Sequence, residues 1–294
     1  MLVLLSALLA GCQTASTGAT PYSAAEYIEN RGSDTIVNLA LAWAERYQEL
    51  HPEVRISVSG GGSGVGITAL INGTVDIANA SRQIKSEEAQ EAESRGIQPV
   101  EFVIARDAIA VIVHPNNPVS QLTLQQISDI YSGLINNWRE VGGEDRPIVR
   151  LSRETNSGTH VYFLETVLRL GDSDSDTLFS TDTLLLPSSE GIVYEVRQNP
   201  NAIGYDGLGY VPPDLKVVAV ARQAGGPFVL PSVDTVNDNS YPVARDLYMY
   251  TAGQPSGTVA DYLGWILSSE AQPIVADLGF VPAAAATPAP TQGD

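Results

Sequence analysis

Gly60-Gly61-Gly62-Ser63-Gly64-Val65-Gly66-Ile67-Thr68 is the turn on which the reading of this chain depends. Before it runs Val54-Arg55-Ile56-Ser57-Val58, an alternating, β-branched stretch that reads as a strand; after it Ile67, Leu70 and Ile71 start a helical spacing that ends at Asn72-Gly73. The glycines therefore join a strand to a helix N-terminus. Four unpaired N–H groups and about half a positive charge collect at such an end, which makes it a default anion site. Gly61 and Gly66 have nucleotide P-loop spacing and Thr68 stands where the magnesium-binding hydroxyl would be, but Ile67 occupies the lysine position. The point charge an NTPase sets against β- and γ-phosphates is missing. Gly64, Gly66 and Ala69 also fit a G-x-G-x-x-A dinucleotide fingerprint. Against that, only about nine residues separate Gly66 from the strand Asp76-Ile77-Ala78, too few for a βαβ crossover, and Ser81-Arg82 follows where a carboxylate is needed. A flexible Gly/Ser loop without a ligand is the remaining alternative.

Two more helix starts have the same chemistry. Arg153-Glu154-Thr155-Asn156-Ser157-Gly158-Thr159 links the strand Ile148-Val149-Arg150-Leu151 to a helix expected from His160 to Leu170, stopped by Gly171. Taken alone it reads as an N-cap with a surface arginine, yet arginine, hydroxyls and free N–H groups are also what a tetrahedral oxyanion requires. Near the start, Gly32-Ser33-Asp34-Thr35 precedes an amphipathic helix with Ile36, Leu39, Ala40, Trp43, Tyr47 and Leu50 on one face, ended by Pro52. Each helix end favours an anion by roughly 0.3–1 kcal/mol, up to ~2 when partly buried, so three converging ends rival a full charge.

The envelope of the chain narrows the class. Leu2 to Ala10 is an apolar run too short to span a bilayer, with the length of a signal-peptide core. Its ending, Leu9-Ala10-Gly11-Cys12, resembles a bacterial lipoprotein cleavage box in which the cysteine is lipidated; the alternative is a buried N-terminal helix with an incidental cysteine. No Lys or Arg precedes the run, which points to a true start upstream of Met1. Cys12 is the single cysteine, so the folded part has no disulfide framework. Residues 12–24 read as a flexible tether and 283–294 as a disordered Ala/Pro/Thr tail. Between them strands and helices alternate, an α/β class with mostly parallel sheets. With 34 acidic against 16 basic residues, a formal charge of −18 argues against nucleic acid. It does not exclude an anionic ligand, because salt screens exposed charge over about 8 Å while N–H dipoles act at contact.

Several separated stretches are similar, in the same order, to the phosphate-binding subunit of bacterial phosphate ABC importers. They are the loop with Ser63, Gly73 to Arg82, Ile130 to Trp138, Ser157-Gly158-Thr159, Ala202-Ile203-Gly204-Tyr205, and Ser269 to Gln272 leading to Leu278 to Pro282. The resemblance covers about residues 30 to 282. It implies a two-lobed, type II periplasmic-binding-protein fold in which two hinge crossings join α/β lobes around a ligand cleft. Carried over, Asp107 to Val113 is the first crossing and Pro242 to Thr251 the return. Residues 25–108 plus 247–282 then form lobe I and 109–246 lobe II. The implied phosphate contacts are Thr35 and Ile36 in the first loop, Ser63 in the second, and Arg153, Ser157, Gly158 and Thr159 in the third, with Ser33, Ser81 and Arg82 expected beside them.

Two positions depart from that family: Arg82 and Thr155 stand where its best-known members have aspartates. A carboxylate accepts the proton of phosphate and repels fully ionised sulfate. Arg82 only donates, so a two-arginine site suited to a doubly charged oxyanion is expected, and Asp34 is the first candidate for a replacement proton acceptor. The implied protein is an extracytoplasmic lipoprotein, anchored through Cys12, that binds inorganic phosphate as a monomer and passes it to a membrane permease without a cofactor, metal or catalytic residue. The alternatives are a sulfate, molybdate or tungstate receptor and a phosphate-sensing surface lipoprotein. A phosphate-ester hydrolase is disfavoured because His51, His114 and His160 lack metal-ligand spacing and no G-x-S-x-G elbow occurs.

Overall fold

The computed structural model describes residues 26–283. The signal segment, Cys12, the tether and the tail beyond Ala283 lie outside the described residues. β1 (Glu26–Gly32), α1 (Asp34–Leu50), β2 (Val54–Ser59), α2 (Ser63–Ile71), β3 (Ile77–Ala80) and α3 (Ser86–Ser94) build the first lobe. β4 (Val100–Val113) leads into the second. That lobe contains β5 (Gln121–Thr123), α4 (Leu124–Ser132), β6 (Val149–Arg153), α5 (Gly158–Phe163), β7 (Leu184–Leu186), α6 (Ser189–Gln198), β8 (Ala202–Gly207), β9 (Lys216–Val217), β10 (Ala219–Ala221) and α7 (Val233–Asn237). β11 (Ala244–Thr251) returns, and α8 (Gly257–Ile266), α9 (Gln272–Asp277) and β12 (Val281–Pro282) follow.

The strands run in the order β2-β1-β3-β11-β4-β8-β6-β7, with β12 and β9 also on β4 and a separate β5-β10 pair. β4 pairs with β11 from Val100 to Ala108 and with β8 from Ile109 to Val113, so one strand serves both sheets. The expectation of mostly parallel sheets is corrected here. Parallel pairing is confined to β2-β1-β3, β8-β6-β7 and β5-β10, whereas every pair that includes β4 or β11 is antiparallel. The cause is topological: a strand that leaves a lobe and one that returns to it run in opposite directions, and both sheets are completed at their junction by this out-and-back pair.

Each sheet half carries its own apolar core. Ile36, Leu39, Ala40, Trp43 and Tyr47 form the buried stripe of α1 against Ile28, Ile77, Leu247 and Met249, and Trp43 donates Nε1–H to the Ala271 carbonyl at 3.2 Å. Burying each large side chain stabilises by roughly 1.5–3 kcal/mol. Leu50, at helical spacing with that face, is the last residue of α1 and is 40% exposed. The helix expected from His160 to Leu170 is also different: α5 starts at Gly158 and passes at Leu164–Leu168 into a π turn, with Leu170 at φ 54 and Gly171 at φ 79. A wider turn there adds a residue to the register.

Packing accounts for the residues of the glycine turn. Ile67, in the P-loop lysine position, is fully buried among Leu70, Ala78 and Tyr250, while Thr68 is exposed. A lysine at 67 would bury its charge in the core of the lobe. Gly66 lets α2 lie directly on β1: a methyl there would meet the Gly32 Cα at 2.7 Å. We expect Gly66→Ala to destabilise the fold by roughly 1–3 kcal/mol, the range for overpacking a core. Urea unfolding should show the lowered midpoint, and an unchanged midpoint would contradict this packing.

Candidate functional site: an interlobe oxyanion cleft

Three helix starts meet where the lobes face each other. Gly32-Ser33-Asp34-Thr35 is anchored by the Ser33 N–H donating to the Asn79 carbonyl at 2.9 Å. The glycine turn is tied to it, since Gly62 N–H donates to the Gly32 carbonyl at 2.9 Å and Gly61 N–H to Asp34 Oδ1 at 2.9 Å. Ser63 Oγ accepts the Ser81 N–H at 3.0 Å and lies 3.3 Å from Ser81 Oγ. These contacts gather Ser33, Asp34, Thr35, Ser63 and Ser81 on the first lobe.

The second lobe brings the third loop against them. Gly64 N–H donates to the Asn156 carbonyl at 3.1 Å, and Asn156 Nδ2 donates to the Gly61 carbonyl at 2.9 Å. Thr35 Oγ1 and Thr159 Oγ1 are 2.8 Å apart, and Ser157 Oγ caps α5 by accepting the Thr159 N–H at 3.2 Å. Gly158 lies so close to the opposite lobe that a methyl on it would run into the Ser63 and Ser81 hydroxyls. Glycine is required there by close approach. The first-turn N–H groups of Ile36, Gly64 and Thr159 are spent on Ser33, Asn156 and Ser157, so the donors these three ends offer an external anion are the remaining first-turn N–H groups. Ile36 stands apart from this arrangement: its N–H donates to the Ser33 carbonyl at 3.1 Å and its side chain fills the core.

Both arginines singled out in the sequence are already paired. Arg153, at the end of β6 and 1% exposed, donates Nη2–H to Asp34 Oδ2 at 2.7 Å and to the Pro187 carbonyl at 2.9 Å, and Nη1–H to Ser189 Oγ at 3.0 Å. Arg82, 7% exposed, grips both oxygens of Glu88 at 2.8 and 2.6 Å and the Gln83 carbonyl at 2.8 Å. Of the two arginines expected at the site, Arg153 is paired with Asp34 and Arg82 with Glu88. Thr155 is exposed, and the carboxylate beside Arg153 is Asp34 from the facing lobe. Asp34 uses one lone pair on each oxygen for Arg153 and Gly61, leaving acceptor capacity for a proton on a ligand.

Other buried charges escape a motif reading. Asp206 is fully buried on β8, where its Oδ1 accepts the Ser189 hydroxyl at 2.9 Å and the Gly207 N–H at 2.7 Å, so Arg153, Ser189 and Asp206 form a chain. Asp107 and Arg245 face each other on β4 and β11 with Nη2 to Oδ2 at 3.1 Å. The available signal was a charged residue at an inward position in an otherwise apolar strand. His160 serves the core: burial lowers its pKa, Nδ1 is 3.0 Å from Ser152 Oγ, and its ring stacks on Phe179 at 4.5 Å. Among the described residues no group of three or more His, Cys, Asp or Glu side chains is arranged to hold a metal ion.

A protein-family model described as the PBP superfamily domain matches residues 17–270. The chain belongs to the PBP superfamily. Within it, the chain is 34% identical to the phosphate-binding protein PstS of Pseudomonas aeruginosa over 268 residues, 85% of this chain and 81% of that protein. Among solved structures, a putative phosphate ABC transporter substrate-binding protein with bound phosphate from Clostridium perfringens has a TM-score of 0.79 and 34% identity, covering 88% of this chain and all (100%) of the other. An ABC-type phosphate transport receptor from Vibrio cholerae has a TM-score of 0.70 and 28% identity, covering 87% and 100%. The two-lobed fold of this superfamily is the one described above.

Burial also sets a pH response in this PBP-superfamily cleft. Desolvation pushes the Asp206 carboxyl up to about 6 from 3.8, against the opposing pull of Arg153, and burial raises Asp107 as well, against the pull of Arg245. A raised folded-state value means the folded protein holds the proton more tightly than the unfolded chain. Asp206 therefore adds stability below its ordinary 3.8 and loses that contribution as pH rises through about 6. Each pKa unit corresponds to about 1.4 kcal/mol. We expect Asp206→Asn to gain stability relative to the parent as pH rises across that window. Urea curves that keep a constant offset between acid and neutral pH would contradict it.

Proposed function

We propose that this chain captures inorganic phosphate between its lobes and delivers it to an ABC importer. The observation that carries the proposal is the meeting of three helix starts from two lobes, with Gly158 against Ser63 and Ser81 and Thr35 against Thr159. We assign Ser33, Asp34, Thr35, Ser63, Ser81, Arg153, Ser157, Gly158 and Thr159 to the phosphate site, while Ile36, its N–H held by the Ser33 carbonyl, packs behind it. Arg82 borders the turn, its Nη2 lying 3.8 Å from where a Gly64 methyl would stand, and acts with Glu88 as a neutral pair. The P. aeruginosa and C. perfringens relatives, named for phosphate, support the same ligand.

The ligand needs donors for three or four oxygens and one acceptor for its proton. Helix N–H groups, hydroxyls and Arg153 supply the donors; the free lone pairs of Asp34 supply the acceptor, which favours phosphate over sulfate. No bond is broken. Binding stabilises the arrangement in which both lobes contribute contacts. We further propose the lobe limits 25–108 plus 247–282 and 109–246, a monomer, and delivery from the outer side of the cytoplasmic membrane with Cys12 lipidated after removal of the signal segment. Among the described residues no helix is long and apolar enough to cross a membrane.

Titration calorimetry should show one phosphate site per chain, and the absence of both binding heat and thermal stabilisation at millimolar phosphate would overturn the assignment. Arg153→Ala should weaken phosphate binding by more than about tenfold, since a hydrogen bond to a charged group contributes roughly 1.5–3 kcal/mol. Asp34→Asn separates phosphate from sulfate receptors. Competition calorimetry should show the phosphate-to-sulfate preference falling in that variant, and an unchanged ratio would remove Asp34 as the proton acceptor.

A further inference from the structure

Arg245 stands where both crossing strands and both binding loops meet. Its partner Asp107 lies directly opposite in the β4–β11 register. Nη1–H donates to the Ser81 carbonyl at 2.8 Å, on the first lobe. Nη2 is 2.9 Å from Thr159 Oγ1 on the second lobe, 3.3 Å from Thr35 Oγ1 on the first, and 3.1 Å from Asp107 Oδ2. The guanidinium is 5% exposed as a residue and lies 5.5 Å from the Tyr162 ring centroid, while the Tyr162 hydroxyl donates to the Ala244 carbonyl at 2.6 Å. Tyr162 thus holds both the arginine and the strand that carries it.

Each threonine hydroxyl has one hydrogen and can accept, whereas a guanidinium accepts nothing. Of the two hydrogens on Thr35 and Thr159, one lies in their mutual 2.8 Å contact. The other cannot be given to Arg245. It is left for a third acceptor, and an oxyanion between the loops is such an acceptor. We infer that Arg245 is a positioning residue for phosphate: it fixes the Thr35–Thr159 pair as a net donor, spans the lobes through Ser81 and Thr159, and ties that arrangement to the crossing strands through Asp107. This rests on the phosphate reading above. It adds a residue that does not touch the ligand and acts through hydroxyls that do.

Lysine is the informative substitution, because it keeps a cation beside Asp107 yet cannot reach a carbonyl, a carboxylate and two hydroxyls in one plane. Phosphate affinity is measured by calorimetry for the parent, Arg245→Lys, Thr159→Val and the double variant, with thermal melts alongside. Arg245→Lys should weaken phosphate binding by more than about tenfold in the parent. In the Thr159→Val background, where the hydroxyl it positions is gone, the same change should cost about threefold or less, a coupling expected of groups that act through each other. Equal losses in both backgrounds, or no loss in the parent, would overturn the inference. Should Arg245→Lys fail to fold, Arg245→Met with Asp107→Leu removes both charges together; parent-like phosphate affinity in that folded variant would overturn it, and affinity still more than about tenfold weaker would support it. A parent protein that binds no phosphate would refute the functional reading instead, which keeps the two failures apart.

Discussion

The Asp107–Arg245 pair is buried between the two strands that pass from lobe to lobe, and the ordering of the cleft depends on it. Taking two charges from water costs several kcal/mol per ion, and their attraction offsets this only when the remaining hydrogen-bonding capacity is used. Here much of the guanidinium's capacity is used, on Ser81, Thr35 and Thr159. The polar groups that satisfy the buried charge are therefore the groups that shape the site. Removing either partner leaves an uncompensated charge at the junction, which couples the integrity of the crossing to that of the cleft.

A strongly acidic chain that holds an anion needs a local account of its charge. Three buried arginines around the cleft each have a carboxylate partner: Arg153 with Asp34, Arg82 with Glu88, Arg245 with Asp107. Summed over these pairs, the formal charge is zero. In the proposed site, attraction for an oxyanion then comes from oriented dipoles, the unspent first-turn N–H groups of α1, α2 and α5 and the hydroxyls fixed beside them. Such dipoles act at contact and need no counter-ion when the ligand leaves. Overall charge acts through solvent, where it is screened.

Much of this was legible in the sequence. The three Ser/Thr/Gly loops, the buried stripe of α1 and the strand before the glycine turn each leave a local pattern, because caps and apolar periodicity are properties of neighbouring residues. The partners of Arg153 and Arg82 were not legible. Asp34 precedes Arg153 by 119 residues and reaches it only when two lobes face each other, and Glu88 meets Arg82 through the geometry of the α3 start. Arg245 and Asp107 left a fainter trace, an inward-facing charge in each crossing strand, which has meaning only once their register is known. The parallel-sheet expectation failed for the same reason. Alternation of strands and helices specifies crossovers within a lobe and is silent on strands that travel between lobes.

The glycine turn illustrates how a composite site differs from a phosphate loop on one element. In a P-loop the lysine travels with the loop, so one segment holds both dipoles and charge. Here position 67 points into the core, and in the proposed site the functions are divided: the turn supplies Ser63, the far lobe Arg153 and Thr159, and a crossing strand Arg245 behind them. No lobe alone presents the full donor set. The Thr35–Thr159 contact, the Asn156 bonds to Gly61 and Gly64, and the Arg153–Asp34 pair all cross the cleft. A ligand that binds the combined set necessarily favours the lobes together, since only differential contact can shift such an equilibrium. In the proposed function, division of the anion site between lobes thus makes capture and closure a single event.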